Sequence, residues 1–352
     1  MNVASDEFIF GLPKAELHLH IEGTLSLDMK RKFAKRNGLN LGEASFSPLR
    51  TPGGSSSKSL DIQQYKMFLG LYSEGLKVLH TVDDFYELTY AYYERCKANN
   101  IIYTEISFDP QAHTDRGIAF ETVVEGIQAA RVDASSKLGI HSQLIMCINR
   151  DLPLDSAIRM IESARPHRHI IAGVGLDSVE DGHPPIKFKR AYDLARSEEY
   201  RLTAHCDVDM TFAAEHVRQC IEDLGVLRID HGINVLDEPT LVTAALERAV
   251  CFTACPTWRD GDPAPRRVDR IRKMADLGLH VTLNTDDPGY FASGYMNTML
   301  PEVAKCGTLG EADLTQFMRN AFNGAWVTKE ERSGFLRQLD DYVRTTSLPM
   351  RQ

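Results

Sequence analysis

With 352 residues, 43% of them hydrophobic and 25% charged, the chain is long enough to bury a large core and has an ordinary globular composition. A net charge of −9 with no basic stripe argues against a nucleic-acid partner, and the lack of an N-terminal apolar segment or of any apolar run of about 18 residues argues against secretion and membrane insertion. Seven cysteines, odd in number and without zinc-ribbon spacing, read as reduced thiols in a cytoplasmic protein.

The first predicted element is AELHLHIEGTL, residues 15–25, an apolar strand carrying His18 and His20. Residues i and i+2 of a strand share a face, so both imidazoles reach one point. LDMKRKFAKRNG predicts a helix closed by Asn37-Gly38. TPGGSSSKS (51–59) predicts a flexible loop; with the helical pattern behind it, it forms either a lid insertion at about 40–80 or a plain surface connection. Seven further strand-like runs follow at 101–110, 141–149, 170–178, 201–207, 227–234, 249–256 and 280–287, with amphipathic helical patterns between them. In HVRQCIEDLG, for instance, Val217, Cys220, Ile221 and Leu224 recur at helical spacing. Eight strand–helix units predict an α/β fold, a (β/α)8 TIM barrel with additional helices, as a single domain over 1–352 with C-terminal helices at about 313–345.

In such a barrel the active site lies at the C-terminal ends of the strands. Strand one ends in His18 and His20, strand five in His205, strand six in His231 and strand eight in Asp286-Asp287. Three histidines and one Asp from this set make a divalent-metal shell with room for a water. His20-Ile21-Glu22 also matches the H-x-E half of the small nucleic-acid deaminases, but no P-C-x-x-C follows, so that zinc site is absent.

The ordered motifs LHLHIEG, TAHCD, RIDHG and LNTDDP resemble the adenosine/adenine deaminase family of the amidohydrolase superfamily. FDPQAHTDRG (108–117), GVGLDSVEDGHPPIKF (173–188) and DDPGYF (286–291) are most similar to its adenine and aminopurine branch. The resemblance implies that His18, His20, His205 and Asp286 bind one Zn2+, with Fe2+ or Mn2+ as alternatives, and that the metal activates a water. It implies that His231 orients the resulting hydroxide, that Asp287 accepts a hydrogen bond from the purine edge and helps place the water, and that the Gly175 backbone N–H meets a ring nitrogen. Ser178 and Glu180 become candidate base contacts.

Two departures from the family pattern matter. Where the family has His-Ala-Gly-Glu, with the Glu protonating a ring nitrogen, this chain reads His205-Cys206-Asp207-Val208, followed by Asp209. Valine carries no proton, so either Asp209 or Asp207 supplies it, Asp209 being favoured, or the reaction does not need it; both acids also suit capping of a helix starting near Thr211. At strand seven, Cys255-Pro256 is followed by Thr257-Trp258-Arg259-Asp260, and Trp258 either stacks on the substrate or anchors its loop. The expected function is a zinc-dependent hydrolytic deaminase of a small purine-type substrate. The alternatives are an amidohydrolase-type enzyme acting on another aminated heterocycle and a catalytically silent purine-binding homologue.

Overall fold

A computed structural model describes residues 2–42, 62–206, 212–258 and 263–346. Within them lie nine strands: β1 (Lys14–Glu16), β2 (Ile101–Phe108), β3 (His141–Asn149), β4 (Ile171–Asp177), β5 (Arg201–Leu202), β6 (His205–Cys206), β7 (Arg228–His231), β8 (Cys251–Ala254) and β9 (His280–Leu283). They form two sheets, ordered β1-β2-β3-β4-β5 and β6-β7-β8-β9, and every pairing is parallel. Parallel neighbours need crossovers, and amphipathic helices supply them. The helix Val82–Ala98 opens with a capping box, Thr81 and Asp84 bonding each other's backbone N–H, and packs on the helix Phe120–Leu138.

The two sheets are hydrogen-bonded to each other at both edges. β5 and β6 are halves of one stretch that changes partners in the middle: Thr203 N–H donates to Val174 O (3.0 Å), whereas Ala204 O accepts from Asp230 N–H (2.9 Å). At the other seam, His20 N–H donates to Asp286 O (3.1 Å) and Asp286 N–H to His18 O (3.3 Å). On its opposite side this segment bonds Ser107 of β2 through Leu19 O and Ile21 N–H. The alternation keeps His18 and His20 on one face, although regular strand stops at Glu16 and a 3₁₀ turn occupies Glu22–Thr24. The strand expected over 15–25 is therefore three regular residues and two isolated bridges; Leu17 N–H is taken by the Asn284 side chain (2.8 Å), which interrupts the ladder.

Other expectations meet the structure more closely. The helix Leu27–Arg36 is capped by Ser26 and stops at Asn37 and Gly38, whose φ of +64° suits glycine. Val217, Cys220, Ile221 and Leu224 are all buried, on a helix Ala213–Arg218 that runs into a π turn, Gln219–Asp223. The C-terminal stretch is two helices, Glu311–Gly324 and Lys329–Thr346, separated by a break at 325–328. Trp326 in that break closes the N-terminal end of the sheets so tightly that a Cβ on Gly173 would lie 2.2 Å from its ring. Because all strands run the same way, their C-terminal ends share the opposite face. Thr51–Ser59 lies outside the described residues.

Candidate metal centre and active site

Four atoms able to ligate a metal converge at the C-terminal ends of the strands. His205 Nε2 lies 3.1 Å from both His18 Nε2 and His20 Nε2, and Asp286 Oδ1 lies 3.3 Å from His18 Nε2 and 3.7 Å from His20 Nε2. A tetrahedral site with metal–ligand distances of 2.0–2.1 Å has edges of about 3.4 Å, the middle of this range. The outer ring nitrogens decide the tautomers. His18 Nδ1–H donates to Thr253 O (3.1 Å) and His205 Nδ1–H to Leu176 O (3.0 Å), because a carbonyl only accepts. Both Nε2 atoms thus turn lone pairs toward the same point. One proton there relieves one contact, whereas a central cation satisfies all four ligands together.

Electrostatics give the cluster the same sign of demand. Burial alone would lower His18, but Asp286 and Asp230 outweigh it and bring the imidazole to about 9. Burial would raise Asp286, yet the His18 hydrogen bond and the neighbouring imidazoles hold it at about 2. Burial, reinforced by the charge of His18, pushes His205 and His231 well below their usual value. The pocket thus calls for positive charge at its centre and disfavours protonation of His205 and His231, and metal ligation needs a neutral imidazole.

Beneath the ligands, Asp230 ties the arrangement together. Its carboxylate accepts from Thr203 Oγ1 (2.8 Å) and Thr253 Oγ1 (2.7 Å), and lies 3.4 Å from His205 Nδ1 and 3.8 Å from His18 Nδ1. Such outer partners orient ligating imidazoles. His231 and Asp286, with Ser178 at the exit of β4, also share a left-handed backbone, at φ of 62°, 61° and 71°. Each such non-glycine residue stores on the order of 1–3 kcal/mol of strain, which concentrates where side chains must be re-aimed.

Comparison with known proteins agrees with this geometry. The family model described as Adenosine deaminase matches residues 13–342. An uncharacterized deaminase of Schizosaccharomyces pombe is 41% identical over 338 residues, spanning 96% of this chain and 98% of that protein. An adenine deaminase of Vibrio parahaemolyticus is 40% identical over 342 residues, spanning 96% of this chain and 97% of that protein. The chain belongs to the adenosine deaminase family. A crystal structure of an amidohydrolase from Burkholderia ambifaria with bound Zn superposes with a TM-score of 0.84 at 28% identity, covering 98% of this chain and 95% of that one.

Against this family background, the structure brings together His18, His20, His205 and Asp286, with His231 beside them: its Nε2 lies 4.0 Å from Asp286 Oδ2 and its ring centroid 4.5 Å from that of His18. Asp287 is buried next to Gly23, where a Cβ would fall 2.0 Å from Asp287 Oδ1, so only glycine fits. Glu180 is not solvated: it is buried, 3.8 Å from both Arg150 Nη1 and His216 Nδ1. Gly175 sits in mid-strand opposite Cys147, and the close approach it permits is to Cys147 Sγ, 2.8 Å from a would-be Cβ. Trp258 is buried in the core, and its carbonyl accepts from Ser293 N–H (3.3 Å). Asp207, Val208, Asp209, Arg259 and Asp260 lie outside the described residues.

Two features escaped the sequence reading. One is Asp230; its signal was a set of polar residues, Thr203, Asp230 and Thr253, inside otherwise apolar strands. The other is a chain of contacts behind Glu22. Arg116 Nη2 donates to His113 Nδ1 (2.9 Å), so the remaining proton of the neutral ring is on Nε2, which donates to Glu22 Oε1 (2.9 Å). Burial, helped by Arg116, pushes His113 down to about 3, so the ring stays neutral. The Asp109 backbone N–H also donates to Glu22 Oε1 (3.1 Å).

Proposed function

We propose that the protein is a zinc-dependent hydrolytic deaminase of an aminopurine, adenine-like in the part that reacts, releasing ammonia or an amine. The observation that carries this is the quartet of ligand atoms at tetrahedral-edge distances with carbonyl-fixed tautomers. Its support from relatives is the adenine deaminase of Vibrio parahaemolyticus and the Zn-bound amidohydrolase. His18, His20, His205 and Asp286 would hold one ion per chain, zinc by their donor set, with Fe2+ or Mn2+ as substitutes. When bound there, a divalent ion makes hydroxide available near neutral pH. His231, neutral and beside the ligands, orients the hydroxide and stabilises its charge during attack. Asp287 accepts from the purine edge. Asp209 or Asp207 delivers the proton to the ring nitrogen in this reading. Ser178, just past the end of β4 with a left-handed backbone, lines the base in this reading. Gly175, Glu180 and Trp258 have protein partners of their own and are the least supported of the substrate contacts.

The reading extends to the fold and its setting. The two hydrogen-bonded seams support a closed (β/α)8 barrel as a single domain over 1–352. Phe68 and Tyr72, on the helix Ile62–Leu76, pack on Phe291 and Tyr290, just past Asp287, which supports a cover from the 40–80 region. Seven free thiols support a cytoplasmic setting. Val208 in place of the family's acid favours one second reading, a related hydrolase that expels a different leaving group.

Metal analysis and an ammonia- and amine-release assay over 6-amino and N6-substituted purines test the proposal. About one metal per chain with turnover of at least one member is expected; no metal and no turnover on any member would end it.

A further inference from the structure

The chain leaving β9 changes neighbours within three residues. Asn284 N–H donates to Ala254 O of β8 (3.0 Å), whereas Asp286 N–H donates to His18 O on the other side (3.3 Å). In regular extended chain, main-chain N–H groups two residues apart bond the same neighbour, so the chain turns over at Thr285. The segment after β1 is irregular at the same level, where Leu17 N–H meets the Asn284 side chain instead of a carbonyl (2.8 Å). Thr285 N–H, fully buried, likewise needs an acceptor. Glu16 supplies it. Its Oε1 accepts from Thr285 N–H (3.0 Å) and Thr285 Oγ1–H (2.5 Å), and its Oε2 from Tyr92 O–H on the helix Val82–Ala98 (2.7 Å). Tyr92 in turn meets Thr104 Oγ1 of β2 (2.7 Å). Glu16 and Asn284 thus reach across the seam in opposite directions, each to a main-chain N–H of the other segment.

What this seam aligns is the proposed ligand set. Glu16 stands two residues before His18, and Thr285 one before Asp286. A slip of one residue between the two segments would turn either the imidazoles or the carboxylate away from their common point. Resting on the metal-centre reading above, we infer that Glu16 is a positioning residue for the metal: by clamping Thr285 it sets the Asp286 carboxylate against His18 and His20 before an ion arrives. Glu16 does this as a hydrogen-bond acceptor, not as a charge. Glutamine therefore keeps the role. Its carbonyl oxygen takes both Thr285 donors, and its NH2 donates to the Tyr92 oxygen, leaving the Tyr92 proton for Thr104. Methionine fills a similar volume but offers only a weak acceptor.

The full-length wild type, Glu16→Gln and Glu16→Met are stripped of metal and reloaded. Zinc affinity is read by chelator competition, ligand geometry by the visible spectrum of the Co2+-loaded protein, and folding by Tm at saturating zinc. Glu16→Met is expected to bind zinc about 10–100-fold more weakly, with displaced Co2+ bands, and Glu16→Gln to stay within about threefold of the wild type with its bands unmoved. Wild-type affinity in Glu16→Met would overturn the inference. Equal losses in the two variants would overturn it too, since charge and not the accepted hydrogen bonds would then carry the effect. A further arm needs no substitution and decides the matter if Glu16→Met does not fold. In the wild type, the Thr285 and Asp286 amides are expected to resist exchange with solvent deuterium equally, within about tenfold, with and without zinc. Protection that appears only with zinc would show that the ion, not Glu16, sets Asp286 in place. A wild type that takes up no divalent metal would remove the parent reading and this inference with it, and that result is visible before any variant is made.

Discussion

The two ends of the strands both bury charge, and they treat it in opposite ways. At the N-terminal end, Arg228 pairs with Glu105, donates to Gly324 O (2.7 Å) and lies 3.9 Å over the Trp326 ring. Glu105 Oε1 also accepts from Trp326 N–H (2.6 Å) and Tyr103 OH (2.7 Å). Lys14 Nζ, in the same layer, donates to Leu12 O (2.9 Å) and Asn99 O (3.0 Å). Nearly every polar atom there finds a protein partner, Arg228 Nε being an exception. At the C-terminal end, imidazole lone pairs face one another, Glu22 Oε2 has no hydrogen-bond partner, and Asp177 Oδ2 stands 3.6 Å from His20 Nδ1. A buried charge saturated by protein serves stability. One left unsaturated is held ready for something the chain itself does not contain.

The comparison makes separable predictions for the two ends. His205→Ala removes the proposed ligand that touches both other imidazoles, so deaminase activity should fall by at least about a thousandfold with loss of bound metal, read by ammonia release and metal analysis. Melting should shift only by what the lost metal contributed, about 4 kcal/mol if the ion is present at a thousand times its Kd. Arg228→Met should do the reverse. It leaves Glu105 buried without its cation, for which about 3–5 kcal/mol of stability is the expected loss in urea unfolding, while the folded fraction keeps its metal and its kcat. A large drop in metal content for Arg228→Met would show that the two ends are not independent.

How much of this was legible beforehand follows the same division. The strands and most helices show in the sequence because burial imposes periods of 2 and 3.6 on side chains. The change of partner between Thr203 and Ala204 left no mark, because it is a backbone event inside one extended stretch. The four proposed ligands stood out because imidazoles at spacing two and an Asp pair are conspicuous after apolar runs. The relay from Arg116 through His113 to Glu22 did not: residues 91 apart in sequence meet only once the fold exists, and Glu22 by itself read as half of a different zinc motif. Asp230 is the intermediate case, visible as a polar residue in an apolar strand but without a stated role. Its role is now testable. Asp230→Asn keeps the shape but removes the charge that Thr203, Thr253 and two ligand imidazoles share, and zinc affinity should fall by about 10–100-fold in a chelator competition, with little change in Tm once metal is saturating.

The smallest effect belongs to the closed end and is a matter of pH. Burial brings Lys14 down from 10.5 to about 7, so in the folded protein it sheds its proton three units or more before it does in the unfolded chain. Between those two values the unfolded chain binds the extra proton, and stability should therefore rise with pH from 7 toward 10.5. Below 7 both states hold the proton, and the contribution is constant. The slope from this one group is at most about 1.4 kcal/mol per pH unit. Lys14→Met should be less stable at pH 9, because the carbonyls of Leu12 and Asn99 lose their donor, yet it should show a flatter rise between pH 7 and 9 than the wild type in urea titrations. Its pH profile for kcat should superpose on that of the wild type, since the amine lies at the end of the strands away from the proposed site. A kcat profile displaced in Lys14→Met would mean that charge at the closed end reaches the open one, and the separation of the two ends would then have to be abandoned.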